Sequence, residues 1–150
     1  MVIYIGADHR GFSLKEHLKP FLDAKGYEGY DIGNAVEDSK DDFPDFAALL
    51  GEKVSRSSDN ARGILICAGG TGMCIAVNKF KHVRATLGIS PDQVYSARHD
   101  DDANVLCIAS DFTDKETAEK MVEVFLVTPF GGDERYRRRI DKISALEKGT

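Results

Sequence analysis

The chain has 150 residues, of which 42% are hydrophobic and 30% charged, and it carries a formal charge of −5. A chain of this length can bury one core without disulfides or metals, and its composition excludes collagen-like and disordered proteins. No apolar run approaches the ~18 residues of a membrane span, no secretory signal is recognisable, and the acidic balance disfavours a general nucleic-acid binder. We therefore expect a cytoplasmic protein with one domain over residues 1–150 and with neither membrane nor nucleic acid as a partner.

Apolar runs and helical periodicities alternate along the whole chain. Buried or half-buried strands are predicted at residues 2–5, 27–32, 63–67, 84–89 and 104–109. Helices are predicted to start near residues 13, 44, 73, 91, 113 and 134. Ser13 with Glu16, and Thr113 with Glu116, form capping-box patterns, while Pro20 is expected to kink or shorten the first helix.

This alternation predicts an α/β protein with a Rossmann-like, doubly wound parallel sheet that helices cover on both faces. Ligands of such sheets bind outside the carboxyl ends of the strands. Functional residues are therefore expected in the loops that follow Ile5, Ile66 and Ala109.

The carboxyl-terminal segment, residues 134–147, combines two stripes that are typical of a docking helix. Aliphatic residues recur at every third position: Ile140, Ile143 and Leu146. Basic residues occupy positions i, i+3, i+4 and i+7: Arg135, Arg138, Arg139 and Lys142. The helix is expected to dock on its own domain or on a second subunit, and from spacing alone the basic stripe is a solvated face.

Cys67 is the strongest candidate for chemistry, because it ends the most apolar strand and precedes a small-residue turn and a helix. The partial positive charge of a helix start favours a thiolate, which can act as a nucleophile or a general base. A small buried core cysteine is the alternative on these residues alone. Cys74 and Cys107 are expected in the core, and all three thiols are expected to be reduced, because they form neither a CxxC pair nor an even set.

The turn after Cys67 contains only small residues: Ala68, Gly69, Gly70, Thr71 and Gly72. It matches neither a Walker loop nor the dinucleotide fingerprint. A mononucleotide or a sugar-phosphate anion suits such a cradle of backbone amides better.

Two further polar segments are candidates for ligand contacts. Asp8 and His9 follow the first strand, where they either contact a phosphate or hydroxyl or only satisfy the backbone of their own turn. His99 precedes the three aspartates at residues 100–102. Consecutive side chains diverge, so we expect no metal ion there. No other cofactor is expected in this protein.

Four segments taken together resemble the family of ribose-5-phosphate isomerase B and galactose-6-phosphate isomerase. They are GADHRGF at residues 6–12, GILIC at 63–67, NKF at 78–80 and NVL at 104–106, and the resemblance runs over residues 2–147. It implies a Rossmann-like homodimer, in some members a tetramer, that interconverts phosphorylated aldoses and ketoses without a metal.

The resemblance also implies roles for the residues of the first and third loops. Cys67 corresponds to the base that moves a proton between C1 and C2 of the sugar. The loop from Ala68 to Gly72 would hold the enediolate oxygen, and Asp8 and His9 would contact the substrate.

The remaining implied roles concern phosphate binding and ring opening. Arg135 and Arg139 would bind the phosphate across the dimer, as forked donors one helical turn apart can. In an alignment without gaps, the family's ring-opening histidine falls on Asp100 and His99 lies one place earlier, so either is a candidate proton carrier. The asparagine that follows that histidine in the family corresponds to Asp101, which would contact the substrate.

Other departures from the family pattern affect the expected specificity. Asp111 stands where the family commonly has an arginine, and Phe43 stands where it commonly has a tyrosine. The displaced histidine and these two changes predict that ribose 5-phosphate is not the best substrate. Two alternatives are an isomerase for a different pentose or hexose phosphate and a non-catalytic paralogue that only binds a sugar phosphate.

Overall fold

A computed structural model describes residues 1–57 and 60–147. Within that part of the chain, five strands form one parallel sheet in the order β2–β1–β3–β5–β4. They are β1 (Val2–Ala7), β2 (Gly29–Asp31), β3 (Ala61–Cys67), β4 (Ala85–Leu87) and β5 (Val105–Ala109). The predicted Rossmann-like parallel sheet is therefore confirmed.

Helices cover both faces of this sheet. They are α1 (Phe12–Ala24), α2 (Phe43–Arg56), α3 (Thr71–Val77), α4 (Pro91–Asp101), α5 (Lys115–Val127) and α6 (Glu134–Leu146). Because side chains alternate along a strand, Ile64 and Ile66 pack with α1, α4 and α5, whereas Leu65 and Cys67 pack with α2 and α3. Among the described residues, no helix has the length and apolar character needed to cross a bilayer.

The predicted capping boxes are wrong by one or two residues. α1 begins after Gly11, and the carboxylate of Asp8 accepts the Gly11 amide hydrogen at 3.0 Å. Gly11 takes this place because a Cβ there would overlap the carbonyl oxygen of Ile66 in β3. α5 is capped by Asp114, whose side chain accepts from the amide of Thr117 at 2.8 Å. A carboxylate is the better acceptor at the positive end of a helix.

Pro20 does not shorten α1, which continues to Ala24 and ends before Gly26. Gly26 has a φ of 80°, a left-handed conformation that suits a helix stop. Gly26 therefore follows the last turn of α1 and ends the helix.

α6 has few contacts with its own domain. Tyr136 is the one buried residue of this helix, and it packs beside α4. The two distal members of the aliphatic stripe remain exposed, Ile143 by 43% and Leu146 by 75%. The distal part of the stripe is therefore only partly covered by the same chain.

The order of the strands creates one crevice at the carboxyl edge of the sheet. β1 is followed by β2 on one side, while β3 lies on the other side of β1. The chain diverges at this point, so the loops after β1 and β3 leave a crevice between them. Asp8 follows β1 and Cys67 ends β3, so both predicted residues face the same crevice.

Candidate active site

Cys67 lies at the carboxyl end of β3 and is only 5% exposed. The backbone amides of Gly69, Gly70 and Met73 donate toward its sulfur and favour the anionic form. Burial outweighs these amides, and the nearby carboxylate of Asp8 opposes a second negative charge, so the pKa of the Cys67 thiol is raised. The expected preference for a thiolate is therefore absent in the free chain, because that prediction could not include burial.

The loop from Ala68 to Gly72 is held in place from two sides. Gly70 has a φ of 68°, and a Cβ on it would overlap the side chain of Leu87. The loop after β5 braces the other side, since the amides of Ser110 and Asp111 donate to the carbonyl oxygens of Cys67 and Ala68 at 2.9 and 3.0 Å. The amides that start α3 are thereby fixed beside Cys67.

Asp8 has one structural oxygen and one available oxygen. Its Oδ1 accepts the amide hydrogens of Arg10 and Gly11, both at 3.0 Å. Its Oδ2 makes no hydrogen bond within residues 1–57 and 60–147. The interpretation of Asp8 as a residue that satisfies its own turn is confirmed for Oδ1, and a ligand contact through Oδ2 stays a prediction.

His9 is held by a residue that the sequence analysis did not identify. The ring Nδ1 of His9 lies 2.7 Å from Oδ1 of Asp41, which also accepts the His9 amide hydrogen at 3.0 Å. Asp41 belongs to the loop before α2, and 32 residues separate it from His9. The polar composition of that loop was the signal that one of its carboxylates could contact a neighbouring residue. Nothing local in the sequence indicated which carboxylate would reach His9.

Two of the departures from the family pattern have partners in the structure. The carboxylate of Asp111 pairs with the guanidinium of Arg10 at 2.7 Å. The ring of Phe43, at the start of α2, lies over Gly72, because a Cβ on that glycine would come within 2.8 Å of it. Arg10 therefore neutralises the negative charge of Asp111 in the loop after β5.

A second cluster of predicted residues surrounds His99 near the end of α4. Its ring stacks on Tyr95 with centroids 5.4 Å apart and meets the edge of Tyr136 at 5.8 Å. Its Nδ1 lies 2.8 Å from Oδ1 of Asp100. The sequence analysis identified His99 and Asp100 but missed Tyr136, whose role depends on how α6 packs.

Asp100 is a carboxylate that orients His99. Its hydrogen bonds to His99 and Tyr136, and the charge of Arg135, lower its pKa. A carboxyl group with a lowered pKa is ionised at neutral pH and has no proton to give. The lowered pKa of Asp100 favours His99 as the proton carrier, and the choice between these two residues stays a prediction.

The other predicted residues of this cluster lie on exposed helix surfaces. The guanidinium of Arg135 stacks on Tyr136 at 4.6 Å and donates to its hydroxyl at 2.7 Å. Arg139 is exposed and makes no ion pair with the described residues. Asp101 faces elsewhere, into a groove of about 270 Å³ that Arg84 and Ile143 also line.

The two clusters lie at opposite edges of the sheet. The Cys67 cluster is at the carboxyl edge, where the strands end, and the His99 cluster is at the amino edge, where they begin. Cys67 ends β3, whereas His99 precedes the start of β5, a strand of five residues that spans about 16 Å. α6 stays at the second edge, because Gly131 before it donates to the carbonyl of His99, and Glu147 after it accepts from the amide of His82. One chain therefore does not bring Cys67 together with His99 and the arginines.

Comparisons with known proteins agree with this architecture. The profile of the family described as Ribose/Galactose Isomerase matches residues 3–143. A probable ribose-5-phosphate isomerase B of Mycoplasma genitalium is 44% identical over 99% of this chain and 97% of that protein.

Solved structures show the same likeness. The crystal structure of the Mycoplasma genitalium ribose-5-phosphate isomerase B with bound ribulose-5-phosphate matches with a TM-score of 0.95 and 44% identity, over 99% of this chain and 97% of that one. A ribose 5-phosphate isomerase from Thermotoga maritima matches with a TM-score of 0.89 and 38% identity, over 96% and 97% of the two chains. The chain therefore belongs to the ribose/galactose isomerase family, as its sequence resemblance indicates.

Proposed function

We propose that this chain is an aldose–ketose isomerase for a phosphorylated sugar of the ribose 5-phosphate and ribulose 5-phosphate type, with Cys67 as the base. The observation that carries the proposal is the position of the Cys67 sulfur. It is buried at the crevice between the loops after β1 and β3, beside backbone amides and Asp8. A 44% identical relative binds ribulose-5-phosphate in its crystal structure, which supports the same substrate class for this chain.

The proposed reaction proceeds through a cis-enediolate. After the ring opens, the Cys67 thiolate removes the proton from C2 of the aldose, and the electrons move onto the carbonyl oxygen at C1. Amides of Thr71 and Gly72, which start α3 and have no intrahelical acceptor, would donate to the developing oxyanion. A proton passes from the hydroxyl at C2 to the oxygen at C1, the Cys67 thiol returns its own proton to C1, and the C2 carbonyl of the ketose forms.

We further propose that the active enzyme is a homodimer whose site combines the two edges described above. The carboxyl edge of one subunit would face the amino edge of its partner, so that His99, Arg135 and Arg139 approach the crevice of the other chain. The aliphatic stripe of α6 supports this arrangement, because Ile143 and Leu146 keep 43% and 75% of their surface exposed on their own chain. His99 would then open the ring, and the arginines would bind the phosphate.

The preferred sugar follows from the groups that surround the crevice. One argument against ribose 5-phosphate was the negative charge of Asp111, and its ion pair with Arg10 weakens that argument. A second argument against ribose 5-phosphate is unchanged: Phe43 lacks the hydroxyl of the tyrosine that the family commonly has there. The expectation that another sugar phosphate is turned over faster therefore stays a prediction, which a panel of pentose and hexose phosphates measures.

The base is tested by comparing two cysteine variants. Cys67→Ala is expected to abolish turnover of ribose 5-phosphate and to leave the circular dichroism spectrum unchanged. Cys107→Ala, the control in the core of β5, is expected to cost about 1 kcal/mol of stability and to keep its activity. In deuterium oxide, the wild type should place solvent deuterium on C1 or C2, because the enediolate exchanges its proton. Near-normal turnover by Cys67→Ala, or full retention of substrate hydrogen, would contradict the proposal.

The shared site is tested by mixing two inactive variants. One carries Cys67→Ala and the other carries both Arg135→Ala and Arg139→Ala. After unfolding and refolding together, about half of the dimers are mixed and each has one intact site, which gives about one quarter of wild-type turnover. A site formed within one chain would give no recovery. Light scattering that shows a fully active monomer would also contradict the dimer.

A further inference from the structure

His9 is fixed more firmly than a residue in an exposed turn usually is. Two donors of His9 converge on one oxygen of Asp41: the ring Nδ1 at 2.7 Å and the backbone amide at 3.0 Å. The side chain of Asp41 is 8% exposed, so its carboxylate is nearly removed from solvent. A carboxylate only accepts hydrogen bonds, so Nδ1 carries a proton and Nε2 is the nitrogen that remains for a ligand.

Asp41 is itself held by a buried network. The side-chain amide of Asn34 donates to Oδ2 of Asp41 at 3.2 Å, and the ammonium of Lys15 donates to the carbonyl of Asn34 at 2.7 Å. Lys15 is fully buried and is neutralised by Asp31 at 2.7 Å. The loop before α2 is thus attached to α1 through the buried ammonium of Lys15, which helps to fix where the Asp41 carboxylate lies.

The charges around His9 favour its protonated form. Asp41 is the main cause, and Asp8 contributes on the same loop as His9, whereas Arg10 opposes them. Arg10 is itself paired with Asp111 from the loop after β5. The pKa of His9 is accordingly raised, so the imidazole holds a second proton further into the neutral range than a free histidine does.

We propose that Asp41 is a positioning residue that holds His9 with Nε2–H directed at the phosphate of the substrate. This inference rests on the proposed function and adds to it that His9 binds the phosphate from one subunit while the arginines of α6 bind it from the other. An imidazolium is a hydrogen-bond donor with a positive charge, which is the form that a dianionic phosphate prefers. Asp41 therefore sets both the direction and the charge of the His9 imidazole, although Asp41 does not itself contact the substrate.

The proposal predicts a change in KM and in its dependence on pH. In the wild type, KM for ribose 5-phosphate should rise once the pH passes the raised pKa of His9, because the second proton is then lost. In Asp41→Asn this rise should begin at lower pH, with KM about tenfold higher just above neutrality and kcat changed less than about twofold. Asp38→Asn makes the same chemical change three residues away on an exposed side chain, and it should leave the profile unchanged.

A double-mutant cycle separates positioning from a structural effect. If Asp41 acts through His9, Asp41→Asn should change KM by less than about twofold in a His9→Gln background. An equal effect with and without His9 would overturn the proposal. So would a pH profile of Asp41→Asn that coincides with that of the wild type.

Nuclear magnetic resonance of ¹⁵N-labelled histidine tests the pairing without turnover. In the free protein the neutral His9 ring should be protonated at Nδ1, and Asp41→Asn should lower the pKa of His9. A chain that fails to isomerise any sugar phosphate, yet shows this titration, would overturn the proposed function and support the His9–Asp41 pairing. Normal turnover with a His9 titration that ignores Asp41 would overturn the pairing alone.

Discussion

The two edges of the sheet carry two different kinds of site. At the carboxyl edge, strand ends and hydrogen bonds between loops hold Cys67 and its amides, and the sulfur is almost fully buried. At the amino edge, His99 and the arginines of α6 stand on helix surfaces, where the imidazole keeps 33% of its surface exposed. Backbone geometry defines the first half of the proposed site, and side chains on docked helices define the second.

This difference indicates which half can exist in a single chain. The amides beside Cys67 are fixed by the fold itself, so they are already placed for an anion before any ligand binds. Arg139 makes no ion pair among residues 1–57 and 60–147, and the distal aliphatic residues of α6 are partly exposed. In the proposed dimer, the amino edge gains its function when a second chain presents its crevice to it.

The largest effect is expected from a methyl group at the backbone-defined edge. Gly70→Ala places a Cβ against Leu87 and forces a residue with a side chain to keep a φ of 68°. We expect a loss of about 2–4 kcal/mol in the free energy of unfolding and at least about 100-fold in kcat. Gly69→Ala is the matched control, because a Cβ there meets nothing within 4 Å, and it should change stability by less than about 0.5 kcal/mol. Normal kcat in Gly70→Ala would show that this turn is not a rigid oxyanion site.

The next effect concerns ring opening at the other edge. His99→Ala should lower kcat with the cyclic aldose ribose 5-phosphate about 100-fold. It should lower kcat with the ketose ribulose 5-phosphate far less, because the phosphorylated C5 oxygen of that sugar cannot close a ring. Asp100→Asn keeps an acceptor for Nδ1 of His99, so it should cost about threefold with either substrate. A selective loss with the aldose in Asp100→Asn, and none in His99→Ala, would reverse the assignment.

A smaller and graded effect is expected from pH at the buried edge. The thiol of Cys67 must lose its proton to act as the base, and burial raises its pKa. Below that pKa, kcat should rise about tenfold for each pH unit, as the thiolate fraction does. The free energy of unfolding should fall as pH passes the unfolded-state pKa, because the unfolded chain loses this proton first. A kcat that does not change with pH over this range would contradict the requirement that Cys67 lose its proton before the rate-limiting step.

Local patterns were sufficient to predict most of the fold and the carboxyl edge of the site. The apolar run that ends at Cys67 and the small residues after it define a buried strand and a turn without any knowledge of distant residues. Asp8 was found in the same way, because it follows the first strand directly. The pKa direction of Cys67 was not predictable, since it depends on the helices that bury the strand end.

Contacts between distant segments could not be predicted from a single sequence. Asp41 reaches His9 across 32 residues, and Arg10 pairs with Asp111 across 101 residues. Tyr136 packs against His99 only because α6 returns to α4. Each of these partners changes the direction or charge of a predicted residue. The sequence therefore indicated the candidate residues better than it indicated their orientation and protonation.

The smallest effect should come from the rim of the crevice, where Phe43 covers Gly72 at the backbone-defined edge. Phe43→Tyr keeps the ring that packs on the glycine and adds one hydroxyl, so the fold should be unchanged. If that hydroxyl bonds a sugar oxygen, it should raise kcat/KM for ribose 5-phosphate about threefold relative to other pentose and hexose phosphates. The effect stays small because the exposed ring lets water replace the missing bond in the wild type. A wild type that already prefers ribose 5-phosphate, with a ratio that Phe43→Tyr leaves unchanged, would show that this edge sets the reaction and not the choice of sugar.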